Sequence, residues 1–199
     1  MTLTLIHSPQ SRSTGIIWLL EELGAAYDIR RVTIRRAGSE EGLDPANPHP
    51  HGKVPALLHD GALIHERAAI VLYLTDLFPE AGLGPRIGDA KRGPYLTWLA
   101  YYAGVMEPSF VSRFLNTEVP RGTAGWVKVD EAVAHLENTL KDRPYLLGDD
   151  FSGADILFGG TFAMFGQSPI MPQSAAIADY AKRCVARPAF ARAGAKDNG

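Results

Sequence analysis

Residues 52–77 read GKVPALLHDGALIHERAAIVLYLTDL, and this stretch decides the fold. Pro55 to His59 is a short apolar run that reads as a strand. Asp60-Gly61 is the two-residue signal of a tight hairpin, and Ala62 to Ile64 reads as the return strand. Ala68, Ala69, Val71, Leu72, Leu74 and Leu77 then recur at helical spacing, and Pro79 stops the helix. The unit is strand, hairpin, strand, helix.

Working back from it, Leu3 to Ile6 is another strand candidate, closed by Ser8-Pro9. Ile16, Ile17, Leu19, Leu20 and Leu23 make one helical face, with Glu21 and Glu22 off it and Gly24 as the stop. Tyr27 to Ile34 reads as a second strand, so strand, helix and strand fit one parallel crossover. An irregular Pro-rich stretch joins the two halves. Working forward, PEAGLGPRIG (79–88) reads as a linker rich in glycine and proline. Beyond it no strand pattern is evident. Helices are predicted at about 90–116, 125–142, 153–166 and 174–186. Ser152 caps the third of these, with Asp155 at its third position and Phe151 and Ile156 placed for a hydrophobic staple. Residues Ala195 to Gly199 are expected to fray.

Composition sets bounds on function. The chain has 199 residues, a formal net charge of −2 and 46% hydrophobic residues, which suits a globular protein and gives no basis for broad nucleic-acid binding. No apolar run reaches the roughly 20 residues of a membrane span, and the N-terminus lacks a signal-peptide pattern. Cys184 is the single cysteine, so an intrachain disulfide is excluded and a cytoplasmic protein is expected. Its place in a predicted helix suggests packing. Arg30, Arg31, Arg35 and Arg36 read as a solvated basic edge. His49 and His51 lack further ligands at metal-site spacing, so no metal is expected.

Three segments carry chemistry. In His7-Ser8-Pro9-Gln10-Ser11-Arg12-Ser13, hydroxyls sit beside a helix N-terminus, where negative charge is favoured. Lowering a thiol pKa by two units there needs about 2.7 kcal/mol, within reach of a hydroxyl donor and a helix end. The same serines also suit a plain helix cap. In Gly52-Lys53-Val54-Pro55, a cis Val54–Pro55 bond would leave Val54 as an edge for a peptide-like ligand, with Lys53 near a carboxylate. In His65-Glu66-Arg67, Glu66 suits an ammonium and Arg67 a carboxylate.

Together with SRSTGIIWLLEELG, NPHPHGKVPALLHDG, HERAAIVLYLTDLFPEAGL, YLLGDDFSGADI and ARPAFARA, these segments resemble the glutathione transferase superfamily over nearly the whole chain. The resemblance implies an α/β N-terminal thioredoxin-like domain (βαβ-α-ββα, residues 1–79), a linker (80–88) and an all-α C-terminal helical-bundle domain (89–199). It implies glutathione as co-substrate, with Ser11 at the sulfur and Ser13 as the alternative. Lys53 would meet the glycyl end, Val54 and Pro55 the cysteinyl backbone, and Glu66 the γ-glutamyl group. Family members mostly place serine where this chain has Arg67, whose guanidinium is expected to take over the carboxylate. The implied activity is conjugation of glutathione thiolate to small hydrophobic electrophiles, as in detoxification, by a cytoplasmic homodimer. Tyr101, Tyr102, Met106, Phe110 and Phe114 are the candidate electrophile pocket. Glutathione-dependent peroxide or disulfide reduction, or a non-catalytic binding protein, are the alternatives.

Overall fold

The computed structural model describes residues 2–38, 43–166, 168, 171 and 173–198. The chain divides into two units, Met1–Ala81 with Pro188–Gly199, and Gly82–Arg187.

The first unit is built on a four-stranded sheet. Its elements are β1 (Leu3–His7), α1 (Thr14–Leu23), β2 (Asp28–Arg31), β3 (Ala56–His59), β4 (Ala62–His65) and α2 (Arg67–Leu77), closed by α8 (Pro188–Asp197). The sheet order is β2-β1-β3-β4. β2 lies parallel to β1, while β3 is antiparallel to both β1 and β4. The predicted crossover and hairpin are both present, with a shorter β2 than the sequence pattern suggested. Asp60 and Gly61 turn the hairpin at φ 48° and 89°, the pair of positive values that a two-residue turn needs. Between β2 and β3 the described residues form turns and no helix, and residues 39–42 of that connection lie outside the description.

Apolar alternation explains the sheet. Leu3, Leu5 and Ile6 of β1 are buried, and Ile6 packs with Val32 and Ala56. α1 is different. Ile16, Ile17, Trp18, Leu19 and Leu20 are all buried, and five consecutive residues go round more than a full helical turn. One sheet face cannot bury them all, so α1 needs a second cover. α8 packs against it, with the Phe190 ring edge-on to Trp18 at 5.1 Å. Glu21 of α1 accepts from Arg192 Nε at 2.9 Å and from Tyr27 Oη at 2.8 Å, and is paired with Lys196. This corrects two expectations. Residues 188–199 belong with the first unit, not with the helical one. Residues 195–197 do not fray, because the Asp197 side chain is buried and accepts hydrogen bonds.

The second unit is helical: α3 (Arg92–Tyr101), α4 (Glu107–Phe114), α5 (Val129–Leu140), α6 (Gly153–Phe165) and α7 (Ala175–Val185). A π-helical turn, Tyr102–Met106, joins α3 to α4 without a break. α6 is buried continuously from Gly153 to Gly159. Ser152 and Asp155 form the predicted capping box. The Asp155 carboxylate accepts from the N–H of Ser152, the N–H of Leu146 and the hydroxyl of Tyr180, so one side chain fixes α6, α7 and the preceding loop. Among the described residues no helix is long and apolar enough to cross a membrane.

Candidate functional site

Strand register brings the three predicted segments to one end of the sheet. Ile6 pairs with Ala56, and Ala56 with His65. The segment after β1 (His7 to Ser13), the entry to β3 (Lys53 to Pro55) and the exit of β4 (Glu66, Arg67) therefore lie side by side. The Val54–Pro55 bond is cis. Val54 is half-buried, and its backbone N–H and C=O make no backbone hydrogen bond among the described residues. That leaves an open edge for an extended ligand. Lys53 is exposed beside it.

The segment after β1 is densely bonded. Ser11 Oγ lies 2.7 Å from Ser13 Oγ and 2.7 Å from the Ser8 carbonyl oxygen. Ser13 Oγ is 2.8 Å from His7 Nδ1. His7 Nε2 faces the carbonyl oxygen of Asp197 at 3.3 Å and its carboxylate at 3.4 Å. Asp197 also accepts from the Gln10 N–H at 3.0 Å and from the Thr14 hydroxyl. His7 and Ser13 are fully buried, whereas Ser11 is partly exposed. Ser13 occupies the N-cap of α1, yet its hydroxyl does not cap the helix; it turns to His7 instead. Burial lowers the His7 pKa below 6.5 even though Asp197 works the other way.

Arg36 lies on the exposed basic edge that the sequence predicts, and its guanidinium also donates to the carbonyls of Pro9 and Gln10, at 2.6 and 3.3 Å, clamping the loop ahead of Ser11. Arg31 of the same group donates to the Lys196 carbonyl. His7, Asp197 and Arg36 are thus residues around the site that sequence reasoning did not single out. His7 was visible within its segment, but nothing local connects it with Asp197.

At the exit of β4, Glu66 has φ 71° and ψ 119°, a region that non-glycine residues rarely enter and that costs about 1–3 kcal/mol. No side chain caps the α2 N-terminus that it opens. The Glu66 side chain is exposed. Arg67 reaches across to α1. A Cβ placed on Gly15 would stand 3.1 Å from Arg67 Nη2, so glycine at this position makes room for the guanidinium. A bare α2 N-terminus and a guanidinium set beside the first turn of α1 favour an anionic group at this edge.

Histidines gather behind Glu66. Ligand atoms of His49, His65 and Glu66 lie within 4.8 Å of one another. His51 does not join them. Its backbone N–H donates to His49 Nδ1 at 3.0 Å. The neutral His49 ring therefore carries its proton on Nε2 and offers a donor there, not a lone pair for a metal. Burial, with His65 beside it, keeps the His49 pKa below 6.5.

In the second unit, Tyr102, Met106 and Phe110 are core residues, and Phe110 meets Phe162 edge-on. The Tyr102 hydroxyl donates to Glu107 at 2.8 Å. Tyr101 is half-buried against Trp98 and His135, and Phe114 is 68% exposed. Cys184 is buried in α7, where burial and the Asp155 carboxylate push its thiol pKa far up.

Known proteins show the same organisation. The family description "Glutathione S-transferase, N-terminal domain" matches residues 8–77, and "Glutathione S-transferase, C-terminal domain" matches residues 120–191. The chain is 29% identical over 154 residues to the glutathione S-transferase GstA of Escherichia coli O157:H7, covering 76% of each. It is 32% identical over 142 residues to a probable glutathione S-transferase of Nicotiana tabacum, covering 70% of this chain and 60% of that protein. Among solved structures, a glutathione transferase of Methylococcus capsulatus superposes with a TM-score of 0.80 at 28% identity, over 98% of both chains. A sphingomonad glutathione S-transferase, solved in complex with glutathione, gives 0.76 at 29%, again over 98% of both. With both of its units matched, and with the cis-proline edge and the uncapped helix starts meeting at one end of its sheet, the chain belongs to the glutathione S-transferase superfamily.

Proposed function

We propose that this protein binds glutathione at the sheet end formed by residues 7–13, 53–55 and 66–67, and conjugates its thiolate to small hydrophobic electrophiles. The observation that carries this reading is the convergence of a serine pair, an unpaired backbone edge and a guanidinium at one end of the sheet. Ser11, the partly exposed hydroxyl, donates to the sulfur. Val54 pairs its backbone with the cysteinyl unit, and Lys53 meets the glycyl carboxylate. Glu66 takes the γ-glutamyl ammonium, and Arg67 its carboxylate. Stabilising the thiolate by one charge-assisted hydrogen bond lowers its pKa toward neutrality, and holding it beside the second substrate supplies the remaining acceleration. For the electrophile, Tyr101 and Phe114 are the least buried of the aromatic candidates in the helical unit. We infer a homodimer in the cytoplasm from the family's usual habit.

The test is calorimetry with glutathione, paired with an assay using chlorodinitrobenzene. Wild type is expected to bind and to conjugate. Ser11→Ala should keep binding within a few-fold and lose about 10²-fold in turnover, as removal of a donor to a developing anion does. Arg67→Ala should weaken binding by about 10-fold or more, the loss of a charged hydrogen bond. Unchanged affinity in Arg67→Ala would refute its carboxylate role. Activity on cumene hydroperoxide or a mixed disulfide in place of conjugation would move the assignment to reduction.

A further inference from the structure

We propose that the proton of the bound thiol is carried inward through Ser11 and Ser13 to His7 Nδ1, where Asp197 stabilises the imidazolium that results. This rests on the glutathione reading above and extends it to the fate of the proton.

Hydrogen accounting leads there. Among the described residues His7 Nε2 faces only acceptors, the carbonyl and carboxylate oxygens of Asp197, so it carries the ring proton. In the neutral ring Nδ1 is then bare and accepts the Ser13 hydroxyl proton across 2.8 Å. Having given its proton to His7, Ser13 Oγ accepts from its neighbours. The Ser8 N–H is one donor, at 3.3 Å, and the Ser11 hydroxyl is the other, its single proton shared between Ser13 Oγ and the Ser8 carbonyl oxygen, each 2.7 Å away and both on the inner side. The resting order is Ser11 to Ser13 to His7, all pointing inward. That order leaves Ser11 Oγ, which also accepts the Ser13 N–H at 3.2 Å, with one further lone pair and no proton to offer a ligand, the wrong polarity for holding a thiolate and the right one for receiving a proton.

One concerted shift reverses every bond in the chain. The S–H bond breaks and an O–H bond forms at Ser11. Ser11 passes its former proton to Ser13, and Ser13 passes its own to His7 Nδ1. Each serine accepts one proton and gives one, and no electrons change hands. Ser11 now donates outward to the sulfur anion, Ser13 donates to Ser11, and His7 donates to Ser13. The imidazolium keeps its Nε2–H toward Asp197. Burial works against the cation most strongly; of the charged groups facing His7, Asp197 from α8 favours it and Arg31 from β2 opposes it, so the ring holds the proton only while the thiolate stands at the other end of the chain. A thiolate outside and an imidazolium inside offset each other, the same pairing that activates cysteine beside histidine in other enzymes. His7 is a positioning and proton-holding residue in this scheme, since it acts through the serines and does not touch the ligand.

The decisive experiment titrates wild-type protein with reduced glutathione at one pH in buffers of different ionisation enthalpy, while ultraviolet absorbance counts thiolate. Thiolate is expected to form without an equivalent release of protons to the buffer. One buffer proton per thiolate would overturn the relay, and so would glutathione bound as the thiol. His7→Asn keeps an acceptor for Ser13 but cannot hold the proton, and Ser13→Ala breaks the chain. Each should leave at least about tenfold less thiolate at neutral pH, equivalent to one pKa unit. The double variant should lose no more than either, and affinity for S-methylglutathione should stay within about twofold of wild type if the site is intact. Wild-type thiolate in Ser13→Ala would overturn the proposal. If His7→Asn does not fold, the buffer count and Ser13→Ala still decide. If neither glutathione nor S-methylglutathione binds to wild type, the glutathione reading itself fails, and the relay falls with it.

Discussion

Burial favours the neutral form of His7 in the folded, ligand-free protein, and this has a consequence at low pH. Its folded pKa lies below 6.5, while in the unfolded chain it titrates at about that value. Above 6.5 both states are neutral, so His7 adds no pH dependence. As pH falls through 6.5 the unfolded chain takes up a proton that the folded one refuses, and stability declines. His49, with its pKa lowered in the same direction, adds to the effect. Thermal melts between about pH 7 and pH 5 should show a falling Tm, with a shallower fall in His7→Asn. An unchanged slope in that variant would show that other groups set the dependence. Legibility at this scale follows sequence distance. Ser11, Ser13, Val54 and Arg67 stand in short segments whose chemistry is local. The bond from His7 to Asp197 spans 190 residues, and no local pattern announces it. The exposed edge of arginines was legible too, but the bonds from Arg36 to the Pro9 and Gln10 carbonyls were not, because they join positions 27 and 26 residues apart.

Among the elements, α6 and α7 meet closely enough to forbid a methyl group. A Cβ on Gly159 would stand 2.6 Å from Cys184 Cβ and 2.7 Å from its Sγ. Both atoms belong to a buried residue in the wall of a packed helix, so the neighbour has little room to give. Gly159→Ala should cost about 3 kcal/mol or more, at the upper end for overpacking, read as a lowered midpoint in denaturant melts. Cys184→Ala should not rescue it, because the clashing Cβ remains; Cys184→Gly should. Rescue by alanine would place the strain at the sulfur alone. The start of α6 was legible in advance, since a capping box is a local signature. The packed face was not, because glycine in a helix leaves no periodic mark. For α1 the sequence held a clue that periodicity alone passes over. Ile16 to Leu20 is apolar at every position, and a helix apolar all round requires cover on both sides. The ARPAFARA segment that supplies it is half alanine, with Phe190 its one large apolar residue, too weak an apolar stripe to be read as a helix on its own.

Across the whole molecule, the first unit is discontinuous: it takes residues from both ends of the chain. Deleting Pro188–Gly199 would strip the cover from Trp18, the cations from Glu21 and the carboxylate from Gln10, Thr14 and His7. Those losses together are on the order of a small domain's entire stability, about 5–15 kcal/mol. Hydrogen exchange should find amides of residues 2–81 unprotected in the truncated protein, with α5 to α7 still protected. Retained protection in β1 would mean that α8 only decorates the sheet. The same layout reverses the usual order of assembly on the ribosome, where early segments fold first. Here Leu3 to Leu77 emerge first yet must wait for α8, while the helical unit can finish before them. A nascent chain therefore completes the candidate edge only once α8 has been made, so the emergence of Pro188–Asp197, not translation of the serine loop, marks the moment at which the proposed site comes into being.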